Sequence, residues 1–186
     1  MTTTLVLGGA RSGKSHHAEA LAAQTGKDVV YIATAQAGDA EMQARIALHR
    51  QQRPAAWATV EAPLALADAI RASWGDGRVV LVDCLTVWLS NLLFCDGRLY
   101  PEIGALDLPP RMHAERAALL ELLAQPQGDL IFVANEVGLS IVPMGAISRA
   151  FVDQAGWLNQ DVAARADRAV FTVAGLPMVL KGGTPC

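Results

Sequence analysis

Apolar residues along this chain fall into short unbroken runs, separated by longer stretches in which apolar and polar positions mix. Leu5 to Leu7 is the first run and ends at Gly8-Gly9; residues 14 to 24 then have helical composition. Val29 to Ala33 is a second run, rich in β-branched residues, and predicts a strand. Residues 39 to 52 read as a helix closed by Pro54, because a proline disfavours helical backbone in the residue before it. Trp57 to Glu61 reads as a short strand, and Pro63 as the start of a helix ending near Gly75. "RVVLVD" at 78 to 83 is the clearest buried strand, followed by the segment "LTVWLSNLL". Beyond it come a helix over 111 to 124, a strand at 129 to 135 and a long helix over 146 to 166. The strand "RAVFTV", a turn at "GLP" and the segment "MVLK" complete the pattern.

Strands that are apolar at consecutive positions are buried on both faces, as in a parallel sheet between layers of helices. The last segment, "AVFTVAGLPMVL", has the pattern of a hairpin, so the final strand is expected to be antiparallel and at an edge. The predicted class is therefore α/β: a mainly parallel sheet, helices on both faces and an antiparallel C-terminal edge hairpin. Residues 96 to 111 contain three prolines and two glycines and read as one long surface loop. No repeat or linker divides the chain, so one domain over 1–186 is expected.

Composition narrows the partners. Net charge is −3, from 15 basic and 18 acidic side chains, so nothing global points to nucleic acid or an anionic membrane. A hydrophobic fraction of 52% with 18% charged residues fits a folded chain rather than a disordered one. Cys84, Cys95 and Cys186 form no CxxC pair, which argues against a disulfide framework and suits a reducing compartment. The N-terminal residues lack the features of a secretory leader, and no apolar run reaches the ~20 residues a membrane helix needs. A soluble cytoplasmic protein is the expectation.

The strongest chemical signal is "GGARSGKS", which fits G-x4-G-K-[ST] between a predicted strand and a predicted helix. Glycines let backbone N–H groups curl around phosphate oxygens, and the helix N-terminus adds positive potential. Gly8, Gly9, Ala10, Arg11, Ser12, Gly13, Lys14 and Ser15 are thus candidate phosphate contacts. Lys14 would reach the β- and γ-phosphates, and the Ser15 hydroxyl would ligate Mg²⁺. Asp83 closes the buried strand and has two compatible readings, a carboxylate toward Mg²⁺ or an N-cap for the following segment. An N-K-x-D guanine motif is absent, which favours a kinase-like transferase over a GTPase.

"RIALHRQQRP" at 45 to 54 sets His49 among Arg45, Arg50 and Arg53. On a helix, Met42, Ile46, His49 and Arg53 share one face. Nearby arginines would keep the imidazole neutral, with a lone pair free to attack phosphorus. Spacing alone leads first to a plainer reading, a helix-end histidine beside solvated arginines. Glu61, next to a turn, reads as a surface charge or as a ribose or metal contact.

Taken together, "GGARSGKS", "YIATA", "RIALHRQQRP", "VDCLTVWLSNLL", "NEVGLSIVP" and "GWLNQDVAARAD" make the chain resemble, nearly end to end, the bifunctional adenosylcobinamide kinase / adenosylcobinamide-phosphate guanylyltransferase family. The resemblance implies phosphorylation of adenosylcobinamide by ATP or GTP. It then implies transfer of GMP from GTP, through a guanylylated histidine, to adenosylcobinamide phosphate, giving adenosyl-GDP-cobinamide. His49 matches the family's nucleophile, which reverses its plainer reading. Nucleotide contacts fall on residues 8 to 15, on Ala33, Thr34 and Ala35, on Arg50, Gln51, Gln52 and Arg53, and on Glu61 and Asp83. The implied fold is a RecA-like P-loop sheet, commonly assembled as a trimer, with room for a corrinoid between subunits. Asn135 and Glu136 are candidates for positioning the acceptor, although an acid after a strand also serves as a cap. Ser140 and Val152 stand where the family commonly has glycine and arginine, which bears on corrinoid or subunit contacts. The rival readings are an enzyme with only one of these activities and a nucleotide-dependent regulatory protein.

Overall fold

Each unbroken apolar run becomes a strand in a computed structural model that describes residues 1–36 and 53–183. The strands are β1 (Thr3–Gly8), β2 (Asp28–Ala33), β3 (Ala58–Glu61), β4 (Arg78–Asp83), β5 (Asp129–Asn135), β6 (Arg168–Val173) and β7 (Leu176–Lys181). The helices are α1 (Lys14–Gln24), α2 (Leu66–Ser73), α3 (Leu85–Leu93), α4 (Pro110–Ala124) and α5 (Ala146–Arg165). The helix expected over 39 to 52 lies outside the described residues.

All seven strands join one sheet in the order β3-β2-β4-β5-β1-β6-β7. Every pairing is parallel except β6 with β7, the antiparallel edge hairpin that the sequence predicts. The interior strands are buried on both faces because helices cover each side. Val6, Val29, Tyr31, Val79, Leu81, Ile131 and Val133 pack with Ala18 and Ala22 of α1. Leu5, Leu7, Ile32, Val80, Val82, Leu130 and Phe132 face the opposite way and pack with α2, α3, α4 and α5. The fold is a RecA-like α/β arrangement.

One boundary differs from expectation for a physical reason. The helix predicted from Pro63 begins only at Leu66. The carbonyls of Pro63 and Leu64 are taken by α3: Asn91 Nδ2 donates to Pro63 O at 3.1 Å, and Trp88 Nε1 donates to Leu64 O at 2.7 Å. The backbone N–H of Leu66 also donates to Leu64 O, at 2.9 Å. Tertiary hydrogen bonds and a tight turn at Ala65 (φ −80°, ψ 64°) thus keep residues 63 to 65 out of the helix.

At the other end of the sheet, Asp129 gathers the N-terminus of the chain. It accepts from the Thr2 N–H at 2.6 Å and pairs with Lys27 at the start of β2. Among the described residues, no helix is long and apolar enough to cross a membrane.

Trp88 is fully buried at the centre of the larger cluster and holds the Leu64 carbonyl. Trp88→Ala is expected to cost about 3–5 kcal/mol through the cavity it leaves. Trp88→Phe, which mainly forfeits the hydrogen bond, should cost about 1–2 kcal/mol. Urea unfolding followed by circular dichroism gives both values; equal costs would contradict the separate role of the indole N–H.

Candidate nucleotide site

The carboxyl ends of the central strands collect the predicted chemistry on one edge of the sheet. Ala33 sits opposite Glu61 on one side and Asp83 on the other, and Asp83 sits opposite Val133. Two residues further along, Gly8 sits opposite Asn135 and Thr172. Open parallel sheets bind ligands in the crevice outside these strand ends.

The loop from Gly8 to Ser15 leaves β1 and enters α1 with the backbone that its glycines permit. A Cβ on Gly8 would lie 2.4 Å from Ser12 Oγ and 2.6 Å from the Thr172 carbonyl oxygen, so only glycine fits there. Gly13, with φ of 94°, is the N-cap of α1, and Arg11 has φ of 56°. Ser12 N–H donates to Gly9 O at 3.2 Å, which tightens the loop. No side chain caps α1, and no acid occupies its first turn. Its first N–H groups and its dipole therefore favour an anion. Lys14 Nζ donates to Gly9 O at 3.2 Å, laying the ammonium across the loop mouth.

Asp83 ends β4, and Lys14 opens α1 on the same edge of the sheet. Burial, and then the Asp83 carboxylate, push the Cys84 thiol up to about 11, against the backbone N–H groups of Val87 and Thr86 and, last, Lys14, which pull it down. Both charges are thus felt at the end of β4. The N-cap reading of Asp83 is not realised: Cys84 caps α3, its sulfur accepting from Val87 N–H at 3.5 Å. Asp83 is left at the strand end, on the edge from which the P-loop leaves β1, with β5 between them. Its carboxylate and the Ser15 hydroxyl are hard oxygen donors suited to Mg²⁺, which commonly takes one or two protein ligands and completes its shell with water and phosphate oxygens. Among the described residues, no group of three or more His, Cys, Asp or Glu side chains could hold a metal by itself.

Arg53 lies over the Tyr31 ring, its guanidinium carbon 3.7 Å from the ring centroid. Tyr31 is on the same sheet face as Asp83, one diagonal step away in register. Burial, and then the Asp83 carboxylate, push the Tyr31 phenol up against the opposing effect of Arg53. The phenol therefore stays protonated through the physiological range. Arg53 is the last basic residue of "RIALHRQQRP", so the C-terminal end of that segment is moored beside the Asp83 strand end. His49, Arg50, Gln51 and Gln52 lie outside the described residues.

Thr34 is fully buried, and its hydroxyl is committed within the protein. Thr34 Oγ1 donates to Cys84 O at 2.8 Å and accepts from Cys84 N–H at 2.9 Å, which ties the end of β2 to that of β4. Asn91 Nδ2 donates to Thr34 O at 2.8 Å. Asn135 is held through its backbone, its N–H donating to Thr86 Oγ1 at 2.6 Å and its carbonyl accepting from Asn159 Nδ2 at 3.3 Å. Glu136 N–H donates to Gly8 O at 3.1 Å, and Glu136 Oε1 accepts from Gly138 N–H at 2.7 Å. The glutamate thus caps its own turn directly beside the P-loop.

Sequence reading singled out neither Asn91 nor Thr86 nor Asn159 as a supporting residue. The available signal was a polar side chain on a helix otherwise apolar at its buried positions, as in "LTVWLSNLL". Such a residue has to find a partner inside the fold.

Residues 4–180 match the family model described as cobinamide kinase / cobinamide phosphate guanyltransferase. The chain is 57% identical over 178 residues to a Pseudomonas aeruginosa protein named bifunctional adenosylcobalamin biosynthesis protein CobP, covering 96% of each chain. It is 41% identical to the Escherichia coli protein named bifunctional adenosylcobalamin biosynthesis protein CobU, covering 95% of this chain and 98% of that one. Among solved structures, it resembles a prototypical ATPase of a bacterial type III secretion system with a TM-score of 0.51 at 14% identity. That match covers 96% of this chain and 56% of the other. The type III secretion ATPase EscN of enteropathogenic E. coli gives a TM-score of 0.50 at 16% identity, over 93% of this chain and 43% of that one. These structural likenesses concern the fold alone.

The raised Cys84 thiol yields a sign-specific expectation. A folded-state thiol above its ordinary value of 9.0 contributes stability that is present below pH 9 and lost as pH rises toward about 11. At pH 8.5, iodoacetamide should label the half-buried Cys95 in folded protein and spare Cys84 until urea is added. Peptide mass spectrometry reads both sites; equal labelling rates would contradict the buried, protonated thiol.

Proposed function

We propose, from the premise that the chain belongs to the cobinamide kinase / cobinamide phosphate guanyltransferase family, that its P-loop edge holds the triphosphate for both reactions and that His49 carries the GMP between them. The chain is a bifunctional transferase of cobalamin biosynthesis that uses nucleoside triphosphates. The observation that carries the proposed site is the joint placement of the uncapped α1 terminus, Lys14 and Asp83 at one strand edge, with Arg53 stacked beside them.

In the kinase step, the acceptor hydroxyl attacks the γ-phosphorus of ATP or GTP. The bond between that phosphorus and the bridging oxygen breaks, and the nucleoside diphosphate leaves. Lys14 and the N–H groups of residues 9 to 15 offset negative charge on the phosphate oxygens. Ser15 and Asp83 would hold Mg²⁺, which supplies charge neutralisation at the phosphates. Glu61 and the backbone at Ala33 and Ala35 line the neighbouring strand ends, while Thr34 positions that segment through its bonds to Cys84.

In the guanylyl step, the neutral imidazole of His49 attacks the α-phosphorus of GTP and pyrophosphate leaves, forming a phosphoramidate. A phosphate oxygen of adenosylcobinamide phosphate then attacks the same phosphorus and His49 departs, giving adenosyl-GDP-cobinamide. Arg50 and Arg53 would offset charge on the transferring phosphate, with Gln51 and Gln52 adding nucleotide contacts. Arg53, held over Tyr31, supports this assignment because it fixes one end of the histidine segment at the nucleotide edge.

We also propose a single catalytic unit spanning 1–186, acting in the cytoplasm where both triphosphates are supplied, and assembled as a homotrimer. Leu139, Ile141, Val142 and Met144, all strongly exposed on the loop after β5, give a surface suited to burial by a second subunit or the acceptor. Asn135 and Glu136 start that loop and are placed to orient the acceptor. Ser140 lies within it, and Val152 lies on α5.

Incubation with GTP labelled at the α-phosphate should yield protein-bound GMP that is acid-labile and alkali-stable. His49→Ala should abolish that label while leaving kinase turnover measurable; a label that survives would remove His49 from the pathway. Lys14→Ala should reduce both activities by about 10²-fold or more, by analogy with loss of other charge-stabilising donors. Intact kinase turnover in Lys14→Ala would refute the shared P-loop.

A further inference from the structure

The C-terminal hairpin lies beside β1, and its turn touches the P-loop. β6 and β7 are joined by Ala174 and Gly175, between the paired residues Val173 and Leu176. Both turn residues have positive φ, 52° and 80°. Such two-residue turns match the twist of antiparallel strands. The Gly175 N–H donates to Ser12 O at 2.8 Å. A Cβ on Gly13 would come within 3.0 Å of Gly175 Cα, so the two backbones are in direct contact. One residue earlier on β6, the Thr172 carbonyl closes on Gly8.

The peptide between Ser12 and Gly13 is a planar trans unit, in which C=O and N–H point in opposite directions. Holding the Ser12 carbonyl on the hairpin therefore aims the Gly13 N–H away from it. We propose that the Ala174–Gly175 turn is a positioning element of the triphosphate site: its N–H fixes the Ser12–Gly13 peptide so that the Gly13 N–H faces the phosphates. The hairpin lies some 160 residues from the P-loop in sequence, and the motif alone does not include it. This inference rests on the P-loop reading above and gives the loop a backbone support outside its own motif. The bond also polarises the peptide, which strengthens the Gly13 N–H as a donor to an anion.

Position 175 allows a clean test because a Cβ there would meet no atom of the described residues within 4 Å. The first effect of a side chain there is on the backbone, through the positive φ of 80°. Asparagine tolerates positive φ, whereas a β-branched residue does not. Gly175→Asn should keep the parent KM for GTP in both reactions. Gly175→Val should raise KM and the GTP dissociation constant about tenfold, the worth of one good hydrogen bond. The KM for the corrinoid acceptor should stay unchanged.

Replacing the Ala174–Gly175 amide by an ester through semisynthesis removes the N–H donor and leaves every side chain in place, so it provides the readout if Gly175→Val fails to fold. The ester protein should show the same rise in GTP dissociation constant by calorimetry. Parental GTP affinity in the ester protein overturns the inference, even if its thermal midpoint has fallen, because a purely structural turn would lower stability alone. Lys14→Ala measured alongside separates the two readings. If Lys14→Ala loses GTP while the ester protein does not, the hairpin role fails and the P-loop stands. If Lys14→Ala keeps parental GTP affinity, the P-loop reading itself fails.

Discussion

Burial of β1, β4 and β5 on both faces is the constraint on which the rest of the structure depends. A strand covered on each side can expose polar groups only at its ends. The chemistry therefore gathers where the strands stop: Gly8 ends β1, Asp83 ends β4, Ala33 ends β2 and Asn135 ends β5. Parallel pairing aligns those ends on one edge. The register that sets Ala33 against both Glu61 and Asp83 is therefore a packing result with a chemical consequence.

Close backbone approach completes the edge. The carbonyl of Thr172 and the hydroxyl of Ser12 occupy the space where a side chain on Gly8 would lie, and Gly13 meets Gly175. The P-loop is thus backed by the edge hairpin as well as by α1. On the other side, Thr34 and Asn91 tie the ends of β2 and β4 and the approach to α2 into one hydrogen-bonded unit. Both supports are backbone-directed, so they place N–H groups and strand ends with little rotamer freedom.

The basic segment enters this frame through an aromatic contact. Arg53 over Tyr31 brings a guanidinium to the Asp83 side of the sheet. A guanidinium stacks on a ring through its face, and its N–H groups lie in the plane of the fork. That arrangement suits a residue expected to meet phosphate oxygens.

The sequence by itself determined the strands, the parallel class with its antiparallel edge hairpin, and the identity of the phosphate loop. Continuous apolar runs and G-x4-G-K-[ST] are local patterns with local physical causes. It also singled out Asp83 and Arg53, because each sits at an element end with a charge to explain. Only the tertiary structure decided which polar residues were spoken for: Thr34, proposed as a nucleotide contact, has its hydroxyl engaged by Cys84, and Cys84 rather than Asp83 caps α3. It also decided that Leu66, not Pro63, begins α2, and that Gly175 meets Ser12 across most of the chain. These are contacts between residues far apart in sequence. Their energies depend on distance and orientation, which periodicity and composition do not encode.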